Sequence, residues 1–165
     1  RAIIKITPAY GIPDINKLIE ELKPKDKINL PELIIRFDNI QYKDMVQLYN
    51  LGNVFVATTR CEAFGLPIIE AMACGLPVIT TDFGGQTDFV NDKNGWLVSG
   101  ELKPVEHDVM YEGIRWLQPS ISEIRAILRQ VYENYPMIEI KGKFALETAK
   151  QLTWDNSAQK FLELL

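Results

Sequence analysis

The chain has 165 residues, 47% hydrophobic, 24% charged and 10% aromatic, which suits one soluble globular domain and excludes disordered, collagen-like and disulfide-rich classes. Eighteen Lys and Arg against 22 Asp and Glu give a formal net charge of -4, with no basic cluster. That balance argues against nucleic acid or a membrane surface as partner and for a small molecule. Cys61, Cys74 and the single histidine, His107, lack zinc-ligand spacing, so no metal centre is expected and a reducing cytoplasm fits. No apolar run approaches the ~20 residues that span a bilayer, and the N-terminus, which opens on Arg1, has no signal-peptide layout.

Ala2–Ile6 is a short β-branched run that predicts a strand, followed by turn-rich TPAYGIP and a helix over Ile15–Leu22 behind Asp14 as N-cap. The alternation returns with Leu33–Phe37 as a strand, then Tyr42, Met45, Val46 and Tyr49 on one helical face, then Val54–Thr59 as a strand. Leu66–Cys74 predicts a short helix, with Pro67 at its first turn and Gly75 just past its end, and Pro77–Thr81 the next strand. Gly84 and Gly85 open a further helical turn, and Gly95–Val98 closes the sheet. Residues 99–119 have no clean period and contain Pro104 and Pro119, so they read as loop. Ser120 and Glu123 form a capping box for a helix with Ile121, Ile124, Leu128 and Val131 on its apolar face, ended by Tyr135-Pro136. Two helical segments follow, near Lys143–Lys150 and Trp154–Leu164. Strands alternating with helices predict a doubly wound, Rossmann-like parallel α/β sheet with a helical C-terminal tail.

In such a sheet ligands bind at the carboxyl ends of strands, which directs attention to the loops after Thr59 and Thr81. The first leads into a helix whose sole charge is Glu70 among Ile68, Ile69, Ala71, Met72, Ala73 and Cys74. A helix apolar on every side is expected to be buried, and a buried carboxylate needs hydrogen-bond donors. A neighbouring protein group or a ligand hydroxyl satisfies that need. The N-terminal amides of the same helix form a ready anion site, and phosphate together with hydroxyls suggests a nucleotide. In the second loop, Gly84-Gly85 is either a tight turn or a place where backbone amides approach a phosphate or sugar.

Residues 54–98, VFVATTRCEAFGLPIIEAMACGLPVITTDFGGQTDFVNDKNGWLV, resemble the donor-site signature of glycosyltransferase family 4, retaining enzymes of the GT-B fold. Glu62 and Glu70, separated by seven residues, the FGLP segment, the EAMACGLPVI run and the glycine pair all match in register. The likeness extends more loosely over residues 1–53 and to Thr153-Trp154-Asp155. The resemblance implies that this is the C-terminal, donor-binding half of a GT-B enzyme of hexosyltransferase type, acting in polysaccharide or glycoconjugate synthesis. It also implies roles. Glu70 would accept from the ribose hydroxyls, and Glu62, the catalytic candidate, would contact the transferred sugar. The amides of Phe64, Gly65 and Leu66 would bind sugar hydroxyls or diphosphate, and Gly84 and Gly85 would border the donor. The substrate implied is a nucleoside-diphosphate sugar, with no cofactor and no metal.

The expected organisation is a single nucleotide-sugar-binding domain over residues 1–165, incomplete at its N-terminus, with residues 153–165 as a helix crossing toward a missing acceptor domain. The family's upstream arginine and lysine, which neutralise the diphosphate, have no match here, and Arg1 and Lys5 do not take their place. The isolated chain is therefore expected to be inactive. Trp154, Phe161, Leu162 and Leu165 offer a face for self-association. A cytoplasmic location is expected, with any contact to the inner face of a membrane made through the missing domain. The rival reading is a non-catalytic module that binds a nucleotide sugar or a protein on the same fold. His107, Tyr111 and Trp116 read as packing residues, Cys74 as a small core residue, and Arg60 as a partner of either a phosphate or a carboxylate. A nicotinamide dehydrogenase is disfavoured because TPAYGIP lacks the GxGxxG turn.

Overall fold

The computed structural model describes residues 2–5, 17, 33–36, 40–105 and 112–164. Of the helix expected over Ile15–Leu22, only Lys17 falls within these residues, and it is helical. Two compact units divide the chain, Arg1–Met45 and Val46–Leu165. In the first, β1 (Ala2–Lys5) pairs in parallel with β2 (Leu33–Arg36), Ala2 opposite Leu33 and Lys5 opposite Arg36. Helix α1 spans Tyr42–Tyr49.

The second unit carries three parallel strands, β3 (Phe55–Ala57), β4 (Val78–Thr81) and β5 (Gly95–Val98), in the order β3-β4-β5. Parallel neighbours need a crossover, and α2 (Leu66–Ala73) supplies the one between β3 and β4. All four residues of β4 are buried. Side chains alternate across a strand, so β4 is covered on both faces, which is why VITT is continuously apolar or β-branched and shows no alternation. On one face, Ile79, Trp96 and Val98 form a core with Ile127, Val131 and Ile138. The last three come from α3 (Ile121–Glu133) and α4 (Tyr135–Gln151). Lys141 on α4 ties this layer to the sheet, its Nζ donating to the carbonyls of Asp92 and of Gly95 and lying 4.8 Å from the Trp96 ring centroid. Burial lowers its pKa, opposed by the Asp92 carboxylate.

Three expectations need correction here. Residues 99–119 are not all loop, because β6 (Gly100–Pro104) and β7 (Arg115–Pro119) form an antiparallel hairpin with Leu102 opposite Leu117. Every residue of β6 is exposed, so no burial-driven alternation exists to be read, and the prolines stand at strand ends where no ladder bond is lost. Tyr135-Pro136 ends α3 but also starts α4, with Asn134 as the cap between them, because proline is tolerated in a helix's first turn. Ser120 caps α3 by accepting from the Glu123 amide at 3.3 Å, while the Glu123 carboxylate accepts from the amide and hydroxyl of Ser99, so only half of the capping box forms.

The tail is helical as expected, with α5 (Trp154–Leu162) capped by Thr153 and no residue of it buried. Trp154 is 84% exposed and Phe161 and Leu162 are also exposed. No described helix is long and apolar enough to cross a membrane. The three-stranded unit has the parallel α/β arrangement predicted, with helices packed against the sheet.

Candidate functional site

Parallel pairing of β3 with β4 brings their carboxyl ends side by side. Two buried threonines of β4 fasten the ends: Thr80 Oγ1 donates to the Ala57 carbonyl at 2.9 Å and Thr81 Oγ1 to the Thr59 carbonyl at 2.6 Å. The loop carrying Glu62 and the turn carrying Gly84-Gly85 therefore leave the sheet together.

They then pack backbone to backbone. The Gly85 amide donates to the Glu62 carbonyl at 3.0 Å. A Cβ on Gly85 would lie 2.0 Å from the Ala63 carbonyl oxygen, and one on Gly84 would lie 2.4 Å from that of Glu62. Gly84 also has φ +109, a conformation that other residues rarely adopt. The glycine pair is thus required for one loop to lie against the other. The Gly85 N-H is used within the protein, in keeping with the tight-turn alternative.

Gln86 locks the turn from beneath. Its fully buried side chain donates through Nε2 to the carbonyls of Thr81, at 2.9 Å, and Phe83, at 2.8 Å, while Oε1 is buried and has no partner among the described residues. Nothing in the sequence signals this role. On the other loop, the Phe64 ring rests 5.2 Å from that of Phe89, and Glu62 is half-buried.

Gly65, at φ +92, caps the start of α2, and Pro67 occupies the first turn. Among the described residues, no backbone hydrogen bond takes up the amides of Phe64, Gly65 or Leu66, leaving the positive end of the helix without an acceptor. The expectation of a fully buried helix is wrong in one respect. Ile68, Ala71 and Met72 form its buried face, at spacings of three and one, while Leu66, Pro67 and Ala73 are exposed. Eight residues make about two turns, and only one side of them docks.

Glu70 is half-buried, and the donor it requires is a side chain that the sequence did not single out. The Tyr49 hydroxyl donates to Glu70 Oε2 at 2.8 Å. Among the described residues neither Glu62 nor Glu70 has an ion-pair partner, and none form a cluster able to hold a metal. Cys74, one turn after Glu70, is partly exposed and not fully buried as a core residue would be; burial first and the Glu70 charge second raise its thiol pKa.

Among the described residues Arg60 has no carboxylate partner. Its guanidinium lies 4.7 Å from the Trp116 ring centroid, and its carbonyl accepts from the Leu117 amide at 3.0 Å, so the β6-β7 hairpin is fixed to the base of the Glu62 loop. His107 and Tyr111 lie outside the described residues.

The sequence profile of glycosyl transferases group 1 matches residues 14–117, a span that includes both loops, both glutamates and Tyr49. The chain belongs to the group 1 glycosyl transferases. A probable sucrose-phosphate synthase of Thermosipho melanesiensis is 33% identical over 129 residues, covering 74% of this chain and 25% of the relative. The sucrose-phosphate synthase structure from Thermosynechococcus elongatus superposes with a TM-score of 0.69 at 22% identity, over 98% of this chain and 37% of that one. The structure of Anabaena HepE in complex with UDP-glucose gives 0.68 at 21% identity, over 99% and 40%. This group 1 glycosyl transferase chain spans a quarter or less of the length of several curated relatives that it matches.

Proposed function

We propose that the chain is the donor-binding domain of a retaining glycosyltransferase that moves a sugar from a nucleoside-diphosphate sugar to an acceptor held by another domain. The observation that carries this reading is the glycine-enforced contact of Gly84 and Gly85 with Glu62 and Ala63, which holds one glutamate of the signature beside the amino end of the helix that bears the other. The complex of HepE with UDP-glucose, a protein of the same fold, supports the choice of ligand.

In this reading Glu70 accepts from the ribose, and the amides of Phe64, Gly65 and Leu66 meet the diphosphate or sugar hydroxyls. As the sugar departs, negative charge grows on the diphosphate, and fixed amide dipoles stabilise it without reorganisation. Glu62 faces the transferred sugar near its reacting carbon. No metal takes part. An acceptor domain orients the incoming hydroxyl, a contribution worth ~7 to 11 kcal/mol of barrier, so the chain alone does not turn over.

Calorimetric titration with UDP and UDP-glucose tests the assignment. Binding on the order of 1 mM, about -4 kcal/mol, is expected, and Glu70→Ala should weaken it by roughly 1 to 3 kcal/mol. Absence of saturable binding, or equal affinity in a folded Glu70→Ala variant, would overturn it.

A further inference from the structure

Tyr49 ends α1, and its backbone carbonyl accepts from the Gly52 amide at 3.0 Å, closing the turn that leads to β3. Its ring is buried, 6% exposed, and meets Phe55 edge-on at 5.7 Å and 72°. A ring held by its backbone turn and by an aromatic neighbour has little rotamer freedom. Its hydroxyl is therefore a fixed donor, and that donor is directed at Glu70 Oε2.

A half-exposed glutamate on a helix surface ordinarily samples several rotamers, and ordering it when a ligand arrives opposes binding. Here one carboxylate oxygen is already engaged at 2.8 Å, and no other described residue donates to Oε1. We propose that Tyr49 is a positioning residue for the donor site, which holds the Glu70 carboxylate in a single orientation and thereby sets the preference for a nucleotide bearing ribose hydroxyls. The inference rests on the assignment of Glu70 to the ribose and adds to it a residue 21 positions away that acts through the Glu70 carboxylate.

A preorganised acceptor gains most from a ligand that donates to it and nothing from one that cannot. Loss of the Tyr49 hydroxyl should consequently weaken binding of UDP while leaving that of 2′,3′-dideoxy-UDP unchanged. A residue that merely supports the fold would weaken both alike.

The experiment titrates the chain with UDP and with 2′,3′-dideoxy-UDP for wild type, Tyr49→Phe, Phe55→Leu, Glu70→Asp, Glu70→Gln and Tyr49→Phe/Glu70→Gln. Tyr49→Phe keeps the buried ring and removes the donor. It should weaken UDP binding by about 3- to 10-fold, leave dideoxy-UDP binding unchanged, and have no added effect once Glu70 is Gln. Glu70→Asp keeps the charge but withdraws the carboxylate by one methylene from Tyr49 and ribose alike, so it reports on the Glu70 assignment. If Tyr49→Phe fails to fold, Phe55→Leu, which removes the ring contact that fixes Tyr49 and leaves both polar groups in place, should reproduce the Tyr49→Phe pattern. If wild type prefers UDP to dideoxy-UDP, Glu70→Asp loses that preference and a folded Tyr49→Phe or Phe55→Leu keeps it in full, the role of Tyr49 is refuted and the Glu70 assignment stands. If wild type shows no preference, the ribose assignment fails and takes this inference with it.

Discussion

The Gly85 amide donates to the Glu62 carbonyl across two loops that leave neighbouring parallel strands, and no side chain fits between Gly85 and Ala63. The contact converts a sequence feature that looks like a flexible turn into a rigid joint. Its rigidity follows from close packing, because interiors filled to crystal density transmit displacement and do not absorb it.

Gly85→Ala places a Cβ 2.0 Å from the Ala63 carbonyl oxygen, where only backbone movement relieves the clash. A loss of at least about 1 to 3 kcal/mol of stability is expected. Gly52→Ala, whose nearest atom would be the Tyr49 carbonyl at 3.5 Å, serves as control and should stay within about 0.5 kcal/mol. Urea unfolding of both variants checks the contrast, and equal midpoints would contradict the joint.

Under the proposed function, the two glutamates should separate kinetically when the domain is assayed together with an acceptor-binding domain. Glu62→Gln is expected to lower kcat with little change in nucleoside-diphosphate affinity, as befits a group acting on the transferred sugar in the transition state. Glu70→Gln should weaken nucleotide binding first. Steady-state kinetics paired with titration of UDP decide it, and a Glu62→Gln variant in which only KM moves would exclude its assigned role.

Cys74 offers a pH-dependent test. Burial, with the Glu70 charge as the smaller cause, raises the thiol pKa above its ordinary value of 9.0. In a Cys61→Ser background, iodoacetamide labelling of Cys74 should rise at higher pH than for a free thiol. Glu70→Gln should shift the profile partway back, because burial persists. The sign for stability follows: a folded-state pKa raised above the unfolded one means that the unfolded chain loses its proton first as pH rises. Its contribution is thus complete below pH 9.0 and declines above it. A labelling profile unchanged by Glu70→Gln would contradict the electrostatic contact.

Metal removal should have no effect on donor binding. The diphosphate is expected to meet amides, and the loops contain no Asp-x-Asp pair. UDP titration in excess EDTA is expected to match titration without it. Loss of binding restored by Mn²⁺ or Mg²⁺ would refute the metal-free reading.

Local signals were the ones that the sequence carried well. Pro67 and Gly75 bracket α2 because each fits a backbone requirement at its own position. Val78–Thr81 reads as a buried strand because burial on both faces selects a continuous apolar and β-branched run. Long-range pairings were not legible. Tyr49 was placed correctly on an apolar helical face, yet its hydroxyl's partner lies 21 residues on, and no local pattern encodes that. The contact of Arg60 with Trp116 is hidden for the same reason, since that aromatic partner arrives on a hairpin whose outward-facing β6 leaves no periodic trace. The candidate site is legible through its motif, while the contacts of Gln86 and Tyr49 beside it are legible only in the fold.

The union of Arg60 with Trp116 gives the loop a native optical probe. The guanidinium stands over the indole at 4.7 Å, two residues ahead of Glu62 in the chain. An indole's emission responds to a cation over its ring and to water reaching its edge, so displacement of the Glu62 loop alters the Trp116 signal directly. With Trp96 and Trp154 replaced by Phe, the remaining tryptophan reports loop position in real time, and stopped-flow mixing then resolves loop motion from ligand arrival without any attached dye.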